Sequence, residues 1–203
     1  PRSTLFPYTT LFRSYRLVFV NGAYRAGLSN ITGAAGLDMT SLSAALGEAQ
    51  DKVGEGLARL GGPKDDVLIA LNTAYMTDGA VLRVAAKSRL AKPLLMVFVR
   101  AGGERRMTAT RNVISIGKDA AATLVEAYVT LPGAAAEGQA NTATELVIGE
   151  GAAVTHVKCA LETGDAVHLA SWVATLSARS DFRGFQLTAG PSLARNQIFA
   201  TYA

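Results

Sequence analysis

The stretch that decides the fold is Ile116–Glu126, IGKDAAATLVE, which returns as IGEGAAVTHVK at Ile148–Lys158. The two copies start 32 residues apart and share Ile, Gly, Ala, Ala, Thr and Val in register, and a weaker third copy starts at Leu176. A fixed period with β-prone content is typical of stacked β units, which bury their apolar faces only against one another. The repeat therefore predicts a mainly β fold with a partial right-handed parallel β-helix core; a β-sandwich is the second choice.

Short β-prone runs surround the repeat and fill the second half of the chain. Gly-containing turns separate them, and no helical periodicity interrupts them after Gly79. The predicted strands are Val81–Val84, Leu94–Val99, Val113–Ile116, Leu124–Val129, Glu145–Ile148 and Val154–Ala160. We assign residues 65–203 to the β-helix core, truncated at its C-terminal end.

The preceding segment, residues 15–64, predicts a short α/β unit that opens with a hairpin. Tyr15–Val20 is rich in β-branched and aromatic residues and is followed by Asn21–Gly22. Asn-Gly tolerates the positive φ angles of a tight turn, so this run predicts a strand that enters a hairpin. Gly27–Gly36 is small and polar, which indicates a loop.

Two helices are predicted between the hairpin and the core. Leucine and valine recur at helical spacing from Leu42 to Leu60, with Thr40 or Ser41 as the N-cap and Gly61-Gly62-Pro63 as the stop signal, although several glycines weaken the pattern. A second, shorter helix is predicted to end at Tyr75, with Asp65 or Asp66 as its N-cap.

Both ends of the sequence look interrupted. Residues 1–14, PRSTLFPYTTLFRS, lack an initiator methionine and have no clear periodicity. They resemble a translated sequencing adapter, so we set them aside as a non-native segment. At the other end, Ile198–Ala203 stops inside a strand-like run. We therefore expect the chain to be a fragment, with its native N-terminus undetermined.

Composition excludes several classes of protein. The chain has 203 residues, of which 49% are hydrophobic, and a formal charge of +4 that is spread among interleaved acids. Neither a basic stripe with interleaved aromatics nor an apolar run of about 20 residues occurs, which argues against a nucleic-acid or membrane partner. A secretion signal is lacking and Cys159 is the single cysteine, so we expect a cytoplasmic protein without disulfides.

The strongest candidates for metal ligands or reactive side chains are His156, Lys158 and Cys159. On a strand His156 and Lys158 share one face while Cys159 points to the other, so this His and Cys cannot chelate one metal ion. We interpret them as a hydrogen-bonded strand histidine and a buried cysteine. His168 stands alone. Asn72 and Asp78 are interpreted as residues that cap or terminate the short helix.

We assign no catalytic, cofactor-binding or metal-binding residue to this chain. A phosphate-binding G-x-x-x-x-G-K-[ST] loop is absent, which excludes a P-loop ATPase. The alternative function is a carbohydrate-active β-helix enzyme, a lyase or hydrolase, which needs carboxylates clustered on an exposed sheet face. The repeat instead places Glu126 opposite Lys158, and the other acids, Glu145, Glu150 and Glu162, fall on different coils and loops.

An ordered series of short motifs resembles the SufD branch of the SufB/SufD family, from the SUF system of bacterial iron–sulfur cluster assembly. No motif is diagnostic alone, but their order across residues 15–203 is, and the opening strand and hairpin resemble SufD more than SufB. The motifs are Arg16–Gly22, Leu71–Tyr75, Asp78–Ala80, Lys92–Leu94, Arg111–Asn112, Ala122–Glu126, Asn141–Glu145, Ala153–Lys158, His168–Ala170 and Gly190–Asn196.

The resemblance implies a non-catalytic scaffold subunit of a SufB–SufC–SufD complex. Its β-helix would pair with that of SufB, and the ATPase SufC would dock on a C-terminal region that this chain lacks. The iron–sulfur cluster would belong to the full complex, because the residues tied to cluster building in this family lie beyond residue 203. We therefore expect no cofactor on the chain itself.

Overall fold

The computed structural model describes residues 13–48 and 66–203, which form a β-helix preceded by a short mixed segment. Strands of the preceding segment are β1 (Tyr15–Val20), β2 (Ala23–Tyr24) and β3 (Leu37–Ser41), and its helices are α1 (Leu42–Glu48) and α2 (Val67–Tyr75). The coils comprise β4 (Ala80–Val84), β5 (Leu94–Arg100), β6 (Arg106–Ile116), β7 (Ala121–Thr130), β8 (Gly138–Ile148), β9 (Ala153–Leu161), β10 (Ala166–Leu176), β11 (Asp181–Thr188) and β12 (Leu193–Tyr202).

Successive strands of the β-helix alternate between two six-stranded sheets. Sheet 1 has the order β11-β9-β7-β5-β1-β2, and sheet 2 has the order β12-β10-β8-β6-β4-β3. Every pair among the coil strands is parallel, so each coil contributes one strand to each sheet and then stacks on the coil before it. The mainly β prediction, the β-helix and its short α/β N-terminal segment are confirmed.

The sequence repeat sets the register of the stacked strands, because equivalent residues of successive copies pair with one another. Ile116 pairs with Ile148 between β6 and β8, and Ile148 pairs with Leu176 between β8 and β10, as the third copy predicted. These side chains form one ladder of an apolar core between the sheets. Strands β7 and β9 alternate buried and half-buried residues, because only every second side chain points inward.

The corners of the coils stack as closely as the strands. Lys87, Asp119, Gly151 and Arg179 occupy equivalent corner positions and all have positive φ angles. The amide of Asp119 donates to the carbonyl of Glu150 in the next corner, at 2.9 Å. A small residue is required two positions before Asp119, since a Cβ atom on Gly117 would lie 2.5 Å from the backbone nitrogen of Ala86.

The N-terminal segment confirms three predictions. Asn21 and Gly22 have φ angles of 50° and 80° in the predicted hairpin, and Asp66 caps α2 by accepting from two backbone amides. Ser41, one of the two predicted N-cap residues, directly precedes α1, and its hydroxyl accepts from the amide of Ala44 at 3.2 Å. Ser41 is also the last residue of β3, which pairs antiparallel with β4.

Two earlier interpretations fall largely on residues that the structure does not describe. Residues 49–65 include most of the helix predicted to reach Leu60, and residues 1–12 include most of the segment set aside as non-native. Within the described ranges, no helix is long and apolar enough to cross a membrane.

We predict that Gly117→Ala lowers the free energy of unfolding by about 1–3 kcal/mol, because the new methyl group overpacks two stacked corners. Denaturant unfolding followed by far-UV circular dichroism measures the change. Gly103→Ala is the matched control, since a Cβ atom there meets nothing within 4 Å. Equal unfolding midpoints for the two variants would show that the corners are not closely packed.

Candidate functional site

The candidate site lies inside the β-helix, where polar side chains replace the apolar ladders. Strand register places Glu126 of β7 beside Lys158 of β9, as the repeat predicted. Around them the two sheets bury the other members of what we call the interior polar cluster. Its members are Glu126, Tyr128, Thr142, Thr144, His156, Lys158, Glu162 and His168.

Glu126 is the hub of the cluster, since both of its carboxylate oxygens are bonded. Oε1 accepts from the Thr144 hydroxyl at 2.7 Å and lies 2.9 Å from Nε2 of His156. Oε2 accepts from the Tyr128 hydroxyl at 2.7 Å. Burial acts to raise the pKa of Glu126, but the His156 bond and the charges of His156 and Lys158 outweigh it and hold the pKa at about 2. The carboxylate is therefore ionised.

Lys158 supplies a cation to the same interior. Its Nζ atom lies 3.3 Å from the Thr142 hydroxyl and 4.9 Å from the centre of the Tyr128 ring. Burial lowers the pKa of Lys158 to about 8, against the opposing charges of Glu126 and Glu162. At neutral pH the ammonium form of Lys158 therefore still predominates, but by less than it would for a lysine with the ordinary pKa.

Glu162 and His168 form a second acid–base pair in the cluster. The imidazole Nδ1 lies 2.7 Å from Oε1 of Glu162, and the ring packs edge-on against Tyr128 at 4.7 Å. Burial lowers the pKa of His168, with the Lys158 charge acting in the same direction and the Glu162 bond opposing it. Tyr128 therefore contacts both acid–base pairs of the cluster.

The histidine interpretations are partly confirmed and partly corrected. His156 is a buried, hydrogen-bonded strand histidine, as predicted, and it also stacks on Trp172 at 4.0 Å. His168 was predicted to stand alone, which is wrong, because a loop after β9 carries Glu162 into the interior beside it. Cys159 points to the face opposite His156 and Lys158, as predicted, but it is half-buried rather than buried.

The four acids of the sequence analysis separate into three environments. Glu126 and Glu162 both lie in the interior polar cluster, although their spacing in the sequence did not predict this shared location. Glu145 lies on the outer face of sheet 2, where it forms a buried ion pair with Arg111. Glu150 sits in a corner and pairs with Lys118 at 2.7 Å. None of these acids forms an exposed pair on a sheet face.

Asn72 and Asp78 do not cap α2 with their side chains. The Asn72 amide, on the buried side of the helix, donates to the carbonyls of Thr110 and Asn141 at 3.0 Å each. Asp78 accepts from the backbone amides of Tyr24, Ser43 and Gly79. They fasten α2 and the N-terminal segment to the coils.

The arrangement can hold and exchange protons, but it does not form a metal site. Across residues 13–48 and 66–203, no three His, Cys, Asp or Glu side chains are placed to bind one ion. Carboxylates, imidazoles and an amine in contact can instead share protons within a low-dielectric interior.

Comparisons with known proteins agree with the β-helix. Residues 98–203 match the family model described as "SUF system FeS cluster assembly, SufBD core domain", and residues 10–96 match "SufBD protein N-terminal region". A curated relative from Synechocystis sp., an iron–sulfur cluster assembly SufBD family protein, is 29% identical over 196 residues. The alignment covers 92% of the chain but 43% of that relative, so the chain spans less than half of its length.

We predict that Glu126→Gln lowers the free energy of unfolding by about 3–5 kcal/mol at neutral pH, because it leaves the buried Lys158 ammonium without its carboxylate partner. The measurement is denaturant unfolding by circular dichroism. Glu150→Gln, in an exposed corner pair, is the control and should change stability far less.

The same carboxylate gives a pH signature. Its folded pKa of about 2 lies below the ordinary value of 4.5, so its stabilising effect is complete above pH 4.5 and is lost as pH falls towards 2. The Glu126→Gln variant should therefore lose less stability over that interval than the parent chain does. Parallel pH–stability curves for the two proteins would contradict the assignment of Glu126 as the hub.

Proposed function

Because this chain belongs to the SufBD family of SUF-system iron–sulfur cluster assembly proteins, we propose that it is a SufD-like, non-catalytic scaffold subunit of a SufB–SufC–SufD complex. In this proposal it acts in the cytoplasm and pairs its β-helix with that of SufB. SufC supplies ATP hydrolysis to the complex. The iron–sulfur cluster is the product of the assembly, and we assign no cluster ligand to the chain.

The observation that carries the proposal is the orientation of the reactive side chains. The interior polar cluster points inward, and its carboxylates and imidazoles are bonded to one another rather than presented to a substrate. A hydrolase or lyase needs its acids on an accessible sheet face. Glu126 and Glu145 are instead fully buried on opposite sides of their sheets. This supports a structural role over the carbohydrate-active alternative.

The outer surface supports a role in assembly. Parallel sheets are ordinarily covered on both faces, and the outer face of sheet 1 is lined by valine, leucine and alanine that are mostly buried on β1 and β5 but half-buried or exposed on β7 and β9. Phe185 and Leu187 on β11 are 59% and 44% exposed. Exposed apolar patches of this kind mark surfaces that pack against further protein.

Support for the SufD branch in particular comes from the N-terminal segment. The motif Arg16–Gly22, which resembles SufD more than SufB, forms β1 and its hairpin, and β1 extends sheet 1 by pairing with β5. The hairpin is therefore part of the β-helix rather than an appendage.

We predict that the complete product of the gene that encodes this chain co-purifies with SufB and SufC. The three proteins are co-expressed, the gene product carries the affinity tag, and the eluate is analysed by size-exclusion chromatography and mass spectrometry. A pectate lyase, which shares the β-helix architecture, is the control bait. We expect SufB and SufC to elute with the gene product and not with the lyase.

Two outcomes would count against the proposal. Elution of the gene product without SufB would remove the scaffold role, since the β-helix pairing is its central contact. Release of unsaturated uronides from pectin by the purified chain would establish the carbohydrate-active alternative instead.

A further inference from the structure

The corner where the chain passes from sheet 1 to sheet 2 encloses a small cavity beside the interior polar cluster. The cavity has a volume of about 30 Å³, and its lining includes Arg100, Thr110, Tyr128, Thr142 and Glu162. A water molecule needs about 10–15 Å³ by this measure together with two to four polar partners, so the space suffices for one or two waters.

Polar atoms on the cavity wall are unpaired. Oε2 of Glu162, the hydroxyl of Thr110 and Nε of Arg100 are buried, and they have no hydrogen-bond partner among the residues that the structure describes. Buried polar groups are nearly always bonded to protein or to ordered water. Water bound in the cavity would supply hydrogen-bond partners for such atoms.

The cavity contacts the cluster by two routes. Glu162 lines the cavity with one oxygen unpaired and holds Nδ1 of His168 with the other, at 2.7 Å. Thr142 also lines it, and its hydroxyl lies 3.3 Å from Nζ of Lys158. Neither the Glu126 nor the His156 side chain lines the cavity.

Glu162, which lines the cavity, is also the most exposed of the acid–base side chains of the cluster. The Glu162 side chain is 6% exposed, whereas that of Glu126 is 0% and that of His156 is 1% exposed. Among the four acid–base side chains, Glu162 is therefore the one placed between bulk water and the interior.

We propose that this corner cavity is a bound-water site through which the interior polar cluster exchanges protons with solvent. Glu162 and Thr142 are the contacts that link the water to His168 and Lys158. The Lys158 ammonium passes a proton to the Thr142 oxygen as Thr142 passes its own hydroxyl proton to the water. The products are a neutral amine and a hydronium ion that leaves to solvent, so atoms and charge balance.

The site adds an acid–base function to the β-helix that does not depend on the scaffold role. The cluster buries two acids, two imidazoles and an amine together, so it must exchange protons with its surroundings whenever its net charge changes. A sealed interior would prevent that exchange, and the hydrated corner permits it.

The experiment labels the folded, complete gene product with deuterium. Mass spectrometry of its peptides then measures deuteration at the imidazole C2 positions. The chain has two histidines, so one peptide reports on each. We expect His168 to exchange about tenfold faster than His156, because exchange follows solvent access to the folded interior. Equal rates in the parent protein would overturn the proposal.

Cavity filling tests the route itself. Ala140 lines the cavity, so Ala140→Val should displace the water. The rate of C2 deuteration of His168 should then fall towards that of His156. Ala127→Val, the same change on the outer face of sheet 1, is the matched control and should leave both rates unchanged. A His168 rate unaffected by Ala140→Val would overturn the proposal.

A second variant distinguishes loss of the bound water from misfolding. Thr110→Val preserves the shape of the side chain but removes one hydrogen bond to the water. In addition, a high-resolution crystal structure of the parent protein should show ordered water bonded to Glu162 and Thr110. Slower His168 exchange in Thr110→Val together with that water supports the site. A dry cavity in the crystal overturns it.

Discussion

In-register stacking of parallel strands is the constraint on which the rest of the structure depends. Residues one coil apart lie directly above one another, so each sequence position has a fixed neighbour in the coils before and after it. An apolar residue extends a core ladder, as Ile116, Ile148 and Leu176 do. A charged residue on the inner face must find its partner within the same interior, because the two sheets separate it from bulk solvent.

The interior polar cluster is the consequence of that constraint at one level of the β-helix. Glu126 lies opposite Lys158 in the register and also contacts His156, which is two residues away on the same strand face, so opposite charges stack where like charges would repel. The hydroxyls of Thr144 and Tyr128 complete the carboxylate's bonds, which makes its burial tolerable.

Most of the fold follows from the sequence, because the repeat encodes the register. It predicted the core and the Glu126–Lys158 pairing, and strand alternation predicted that Cys159 faces away from His156 and Lys158. Strand β10 was not predicted, since the second copy of the repeat ends at Lys158 and the coil from Ile148 to Leu176 is shorter than the one before it. Glu162 was assigned to a coil or loop apart from the other acids, because periodicity does not show where a loop side chain reaches. Asn72 was misassigned for a similar reason, since helical spacing does not indicate which sheet a helix covers.

Strand β8 shows that polar contacts on both of its faces specify the same register. Its inward residues Thr142 and Thr144 serve the interior polar cluster, while its outward residue Glu145 pairs with Arg111 under α2. The side-chain period of a strand is two, so a slip by one residue would exchange these faces. Such a slip would strip Glu126 of its Thr144 bond and turn Glu145 into the core. The interior cluster and the docking of α2 therefore select the same alignment, and polar contacts on both faces fix a register that apolar ladders alone would specify less strictly.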